Sequence, residues 1–187
     1  MKRTRSAALL LTAILCIRCS GCAAAQGSAS DDTAAFYETR GCMFSYDPAL
    51  WTLTDESDSA AGNHTAQFLY CDGSMSFALV TASYDRPDWD SDMARNIGDG
   101  WIRSFLEDYP QAPLRTQGFD SLADSYHVYC SVDEEKRISG TDMLVAEQYS
   151  VTFIYHAAPE AADTVLTDYQ AILDSITLSQ DTGGLSS

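Results

Sequence analysis

Apolar and polar residues alternate with a period of two along much of the chain, and this alternation predicts β-strands. Residues 74–84 are apolar at both parities, so we expect a central strand that is covered on both faces. Asp72 and Gly73 precede it and tolerate positive φ, which predicts a type I′ hairpin turn from the strand at residues 66–71. The other predicted strands occupy residues 42–46, 51–53, 114–119, 122–132 and 147–156.

Three segments between these strands carry a different pattern. Residues 55–63 are acidic and small, which predicts a loop. Asp120-Ser121 predicts the turn of a second hairpin, and residues 138–146 are compatible with either strand or loop.

Two further segments show the period of an amphipathic helix. The first places four apolar residues on one stripe: Met93, Ile97, Trp101 and Phe105. Asp92 can cap this helix, and Pro110 and Pro113 end it. The second begins near Pro159 and carries the stripe Ala162, Val165, Leu166, Tyr169, Ile172, Leu173 and Ile176. We therefore predict an α+β fold, an antiparallel β-sheet with a mid-chain helix and a C-terminal helix packed on it.

The beginning of the chain has the basic segment followed by an apolar segment that is typical of an export signal. Lys2, Arg3 and Arg5 form a basic start, and the eleven residues from Ala7 to Ile17 are mostly apolar. A membrane-spanning helix needs about 20 apolar residues, so this segment predicts a signal peptide rather than a permanent span.

The four residues that follow, Cys19-Ser20-Gly21-Cys22, resemble the lipobox of bacterial lipoproteins. The resemblance implies cleavage before Cys22, whose thiol would carry a diacylglycerol on the extracytoplasmic face of the cell membrane. Two acyl chains suffice for stable anchoring because each buried methylene contributes about 0.8 kcal/mol. An alternative site at Ala23 to Ala25 fits ordinary signal cleavage, which would release a soluble protein.

These signals divide the chain into a signal peptide (residues 1–21), a tether (22–34), one domain (35–180) and a tail (181–187). Four of the 11 basic residues leave with the signal, so seven remain against 27 acidic residues and the mature net charge is −20. Such a surface repels nucleic acid and anionic lipid headgroups, which excludes nucleic-acid binding. It favours solubility or a basic partner, and the sequence indicates no cofactor.

Three cysteines other than Cys22 remain in the mature chain, and they permit at most one intramolecular disulfide. Cys130 shares its strand parity with Val128, which predicts a buried thiol. Cys42 and Cys71 are therefore the predicted disulfide pair. These three cysteines are far apart in the sequence and form no Cys-x-x-Cys motif with one another that would support a thiol-redox role.

Three stretches resemble PsbP-like domains. Residues 44–51, Phe-Ser-Tyr-Asp-Pro-Ala-Leu-Trp, are similar to the opening F-x-Y-x-P-x-x-W hairpin of that family. Residues 119–123 resemble its mid-chain hairpin, and residues 172–176 its closing helix. The resemblance covers residues 35–178 and implies an α/β/α sandwich, an antiparallel sheet with helices on both faces. The family includes a photosystem II subunit and bacterial lipoproteins that share a scaffold rather than a catalytic site, so no reaction is implied.

Three aspartates before the mid-chain helix have the alternating spacing of possible Ca²⁺ ligands: Asp88, Asp90 and Asp92. Met93 and Asp99 stand where an EF-hand loop needs Gly and Glu, so we interpret these aspartates as a solvated turn, with a metal site as the alternative. Trp89 lies among them and is the residue that we expect to contact a partner.

The three histidines, His64, His127 and His156, lack the short-spaced partners of a zinc site. The strand parities of His127 and His156 are expected to bring both onto one surface of the sheet. Four polar residues share these parities, Tyr129 and Ser131 with His127, and Ser150 and Thr152 with His156. A Ser/His hydrolase is therefore an alternative, although the sequence contains no Gly-x-Ser-x-Gly elbow.

The sequence thus favours a non-enzymatic lipoprotein that is anchored through Cys22 and binds an unknown protein or envelope component. The anchor and the tether motivate this hypothesis, together with the lack of a catalytic motif in the sequence. The alternatives are an envelope hydrolase that uses His127 or His156, and a Ca²⁺-dependent module at residues 88–92.

Overall fold

A computed structural model describes residues 34–39, 41–60, 62–83, 91–122, 125–147 and 149–178. Its strands are β1 (Ala35–Thr39), β2 (Cys42–Tyr46), β3 (Trp51–Asp58), β4 (His64–Tyr70), β5 (Met75–Ser83), β6 (Leu114–Ser121), β7 (Tyr126–Asp133), β8 (Ile138–Val145), β9 (Tyr149–Ala157) and β10 (Thr177–Leu178). Helix α1 (Ser91–Asp108) lies between β5 and β6, and helix α2 (Ala162–Asp174) follows a 3₁₀ turn at Pro159–Ala161. No helix within the described ranges is long and apolar enough to cross a membrane.

The strands pair antiparallel throughout and form two sheets. The larger sheet has seven strands in the order β3-β4-β5-β9-β8-β7-β6, and the smaller has the order β1-β2-β10. Helix α1 packs against β7 and β8 on one face of the larger sheet, here called the α1 face. Helix α2 and the smaller sheet pack on the opposite face, here called the α2 face. The predicted α+β architecture is confirmed.

The larger core lies on the α2 face, between the seven-stranded sheet and the layer that α2 forms with the smaller sheet. Its centre is aromatic: the rings of Phe68 and Phe77 stack at 4.8 Å, and Phe44 from β2 meets Phe68 edge-on at 5.7 Å. Helix α2 contributes three buried residues of the predicted stripe, Val165, Tyr169 and Ile172. Burying one large apolar side chain contributes roughly 1.5–3 kcal/mol, so this cluster is a main source of stability.

A second, smaller core lies between α1 and the α1 face of β7 and β8. Ile102 and Phe105 of α1 are buried in it. Gly98 allows the helix to approach closely, because a Cβ at this position would lie 2.6 Å from a methyl carbon of Val128. Cys130 is buried in the same core, as predicted, and burial raises the pKa of its thiol.

The acidic segment that we expected to be a loop is largely strand. Strand β3 continues to Asp58, which pairs with His64, and its register is irregular between Leu53 and Asp55. Pairing with β4 satisfies the backbone groups on one side of β3, and the edge position leaves its side chains exposed after Trp51. Carboxylates are therefore tolerated here, and charge on an edge strand also discourages pairing with other chains.

Both predicted hairpins form, but their turns differ from the prediction. In the first, Gly73 has positive φ (77°) whereas Asp72 does not, so the chain makes a longer turn over residues 71–74 instead of a type I′ turn. In the second, β6 extends through Ser121 and the backbone N–H of Leu122 donates to the Ser125 carbonyl. The segment that the sequence left open between strand and loop forms β8.

No disulfide joins Cys42 and Cys71, so the predicted pairing is not found. The residue before Cys42 packs on the ring of Tyr149, which pairs with Ser83 at the end of β5. Cys71 lies at the opposite end, in the turn that leads into the start of β5. Strand β5 has nine residues and is about 26 Å long, whereas a disulfide needs Cα atoms within about 7 Å. Burial raises the pKa of Cys42 to about 12.

We expect Gly140→Ala to destabilise the protein by about 1–3 kcal/mol, measured by urea unfolding. The ring of Tyr155 lies across Gly140, and an alanine Cβ there would lie 2.2 Å from its Cζ. The matched control is Gly100→Ala in α1, where a Cβ has no neighbour within 4 Å and a gain of up to about 1 kcal/mol is expected. Equal effects of the two substitutions would contradict the role of Gly140 in ring packing.

Candidate functional site

His127 and His156 lie on opposite faces of the sheet, which corrects the prediction that they share one surface. In the register of the strands, His127 pairs with Leu144, and His156 pairs with Ser139. Leu144 and Ser139 are both on β8 but five residues apart, so their side chains point to opposite faces. The alternation within one strand correctly shows which of its residues share a face. Only the pairing between strands shows which face of β7 corresponds to which face of β9.

On the α1 face, His156 belongs to a hydrogen-bonded group at the turn between β7 and β8. Its Nδ1 lies 2.9 Å from Ser139 Oγ, and the Ser139 hydroxyl also bonds to Glu134. Burial opposes ionisation of Glu134, but hydrogen bonds from Arg137 and Ser139 outweigh it and lower the pKa of this carboxyl. Glu134 is therefore an ionised acceptor. The Ser139 hydroxyl has a single proton, and it donates this proton in its hydrogen bond to Glu134.

The hydrogen bond between His156 and Ser139 runs in the opposite direction to the one that activates a serine nucleophile. Since the Ser139 proton is donated to Glu134, Nδ1–H of His156 donates to Ser139 Oγ and cannot accept its proton. Burial, with Arg137 nearby, lowers the pKa of His156 to about 4, so the ring is neutral at pH 7. Ser139 is fully buried. The arrangement fastens the β7–β8 turn to β9 and offers no activated hydroxyl.

On the α2 face, His127 meets a buried carboxylate. Its Nε2 lies 3.0 Å from Oδ1 of Asp142, whose residue is only 7% exposed, and Tyr169 of α2 donates its hydroxyl to Oδ2 at 3.0 Å. Burial and then the Asp142 charge raise the pKa of Tyr169 well above its usual range. Asp142 thus accepts one hydrogen bond from β7 and one from α2, and the three side chains connect helix and sheet.

The predicted Ser/His pairing does not form on this face. Ser131 is four residues from His127 on the same strand, a separation of about 13 Å. Its Oγ instead lies 2.6 Å from Oγ1 of Thr116 on β6. Ser150 and Thr152 are buried on the α1 face.

Further polar side chains lie beside His127 on the same face of the sheet. The Tyr129 ring lies 5.2 Å from the His127 ring and across Gly118 of β6, where a Cβ would be 2.1 Å from Tyr129 Cζ. Asp120, which is exposed, pairs with His127 across β6 and β7. We call Asp120, His127, Tyr129 and Asp142 the polar platform. Sequence reasoning identified His127 and Tyr129 but missed Asp142, although a lone carboxylate in the run Ile138–Val145 was a detectable signal.

The third histidine also has partners that the sequence did not indicate. His64 Nδ1 lies 2.8 Å from Asp58, and its Nε2 lies 2.6 Å from the hydroxyl of Tyr37, which donates to Glu56 at 2.8 Å. Tyr37 is on β1, the carboxylates are on β3 and His64 is on β4. The group therefore connects the smaller sheet to the edge of the larger one. Burial, followed by the hydrogen bond to Glu56, raises the pKa of Tyr37.

Several predicted site residues lie outside the described residues: Cys22, Asp88, Trp89 and Asp90. Asp92 is exposed in the first turn of α1, which begins at Ser91, so Asp92 is inside the helix and not its cap. Its carboxylate still favours the positive end of the helix. Among the described side chains, no three His, Cys, Asp or Glu residues are grouped to hold a metal ion.

Stability should depend on pH through His156. The pKa of this ring is about 4 in the folded protein and 6.5 when unperturbed, so the unfolded chain binds the proton more readily. The contribution of the neutral His156 ring to the free energy of unfolding is therefore complete above about pH 6.5. It is lost as the pH falls toward 4, by up to about 3 kcal/mol. Urea unfolding at pH 7 and pH 5 should show a larger loss for the unaltered protein than for His156→Gln. Identical losses would show that this ring is not held neutral by the fold.

The chain matches no protein-family model and no curated protein sequence. Its fold is similar to the solution structure of cyanobacterial PsbP (CyanoP) from Synechocystis, with a TM-score of 0.59 over 82% of this chain and 99% of that one, at 14% identity. A protein from Bacteroides thetaiotaomicron covers 80% of this chain and 50% of its own at 12% identity, with a TM-score of only 0.43. The first similarity confirms that the domain has a PsbP-like α+β fold.

Proposed function

We propose that the protein is a non-catalytic binding module, tethered by a lipid on Cys22 to the extracytoplasmic face of the cell membrane. The PsbP-like fold supports a scaffold role, and the lipobox-like residues 19–22 support the anchor. The partner is a protein or another envelope component that the domain meets close to the membrane.

The observation that carries the non-catalytic part is how the histidines are bonded. The proton of Ser139 points to Glu134, so His156 has no hydroxyl to activate. His127 is bonded to Asp142, about 13 Å from Ser131 along β7. Each imidazole connects secondary-structure elements, which is a structural use of a polar side chain.

We expect the unaltered protein to partition into detergent and the Cys22→Ser variant to remain in the aqueous phase. The mass of the mature chain should correspond to a start at Cys22 plus a diacylglycerol. Cys71→Ser is the matched control and should partition like the unaltered protein, because its thiol is not in the lipobox-like segment. A mature chain that starts at Gln26 without lipid would overturn the anchored part of the proposal.

A hydrolase is the second candidate, because a buried carboxylate behind an imidazole also orients the base of a nucleophilic enzyme. His127 and Asp142 have this arrangement, at 3.0 Å. A fluorophosphonate probe reacts with activated serines, and we expect it to label neither the unaltered protein nor His127→Ala. Labelling of the unaltered protein that His127→Ala abolishes, with His64→Ala as the control that retains it, would establish the hydrolase instead.

A further inference from the structure

We propose that the polar platform binds the guanidinium group of an arginine side chain on a partner protein. The inference rests on the proposed binding function and names the chemistry that the partner presents. Three features carry it: an aromatic ring that lies flat on the sheet, an exposed carboxylate beside it, and a surrounding surface that is rich in negative charge.

The flat ring is a consequence of a glycine on the neighbouring strand. Tyr129 lies across Gly118, where even a single Cβ would be 2.1 Å from its Cζ. The ring therefore lies over the backbone of β6 at Gly118. Helix α2 packs on β9 and β2, and Tyr129 is only half-buried. The exposed part of the ring is the part that a ligand would contact.

The carboxylate of Asp120 completes the chemistry. Asp120 pairs with His127 and lies two residues from Gly118 on β6, so its side chain is on the same face as the Tyr129 ring and next to it. A planar guanidinium can stack on an aromatic ring while its N–H groups donate to a carboxylate. Asp142 is already bonded to His127 and Tyr169, which leaves Asp120 as the accessible acceptor of the platform.

The charge around the platform favours a cation. Arg115, at the other end of β6, is paired with Asp133 at 3.2 Å. The described residues of strands β1–β5, strand β9 and helix α2 include no Lys or Arg, while the mature chain has 27 acidic residues. An anionic ligand would be repelled by this surface, and a basic segment of a partner would be attracted to it.

The test is a titration of the purified full-length protein with the peptide acetyl-Gly-Arg-Gly-amide, followed by NMR of the His127 and Tyr129 ring signals. We expect saturable shifts of both rings. The same peptide with citrulline, which has nearly the shape of arginine without its charge, should bind at least about fivefold more weakly. Asp120→Asn and Tyr129→Leu should each weaken arginine binding by a similar factor.

Asp108→Asn is the matched control, because Asp108 is an exposed carboxylate at the end of α1 on the opposite face of the sheet. It should leave binding unchanged. Asp120 is exposed, so Asp120→Asn tests the site even if Tyr129→Leu disturbs the sheet. Absence of saturable shifts, equal binding of the citrulline peptide, or unaltered binding by Asp120→Asn would each overturn the assignment.

A separate experiment tests the proposed binding function itself, by photo-cross-linking from Phe36 on the outer face of the smaller sheet. A specific protein adduct there without an arginine response would overturn the arginine site and leave the binding function standing.

Discussion

The pairing of β5 with β9 joins two hairpin systems that are far apart in the sequence. Nine residue pairs, from Met75↔Ala157 to Ser83↔Tyr149, place the strands β3–β5 beside β9–β6 in one antiparallel sheet. Without this pairing each half would expose an unpaired edge and an apolar face. The α2-face core spans the junction, since Phe77 of β5 lies 5.8 Å from Phe153 of β9 and 5.6 Å from Tyr169 of α2.

Polar side chains are used in this structure mainly to connect elements. The Asp142 group links α2, β8 and β7, the Glu134 group links the β7–β8 turn to β9, and the His64 group links β1 to β3 and β4. In each group a carboxylate accepts hydrogen bonds from its neighbours, which offsets the cost of its desolvation. A histidine beside a carboxylate therefore indicates a structural connection here as readily as it would indicate catalysis.

Glycines make room for tyrosine rings on the α2 face. Gly118 and Gly140 leave space on β6 and β8 that the rings of Tyr129 and Tyr155 occupy. A tyrosine ring that lies across a neighbouring strand covers the backbone of that strand. Tyr155 is buried against Tyr169 of α2, whereas Tyr129 is half-buried and lies on the same face as the exposed Asp120.

The sequence by itself determined the local features of this protein. Period-two alternation and two apolar stripes were enough for the α+β class, the positions of both helices, the central strand β5 and the burial of Cys130, because these depend on spacing within one element. The tertiary structure alone decided which strands are neighbours and in which register. That register placed His127 and His156 on opposite faces. The packing of the smaller sheet and of α2 on the larger sheet separated Cys42 from Cys71 and brought Tyr169 to Asp142. Alternation fixes the two faces of a strand, but the relation between strands depends on packing contacts made by residues far apart in the chain.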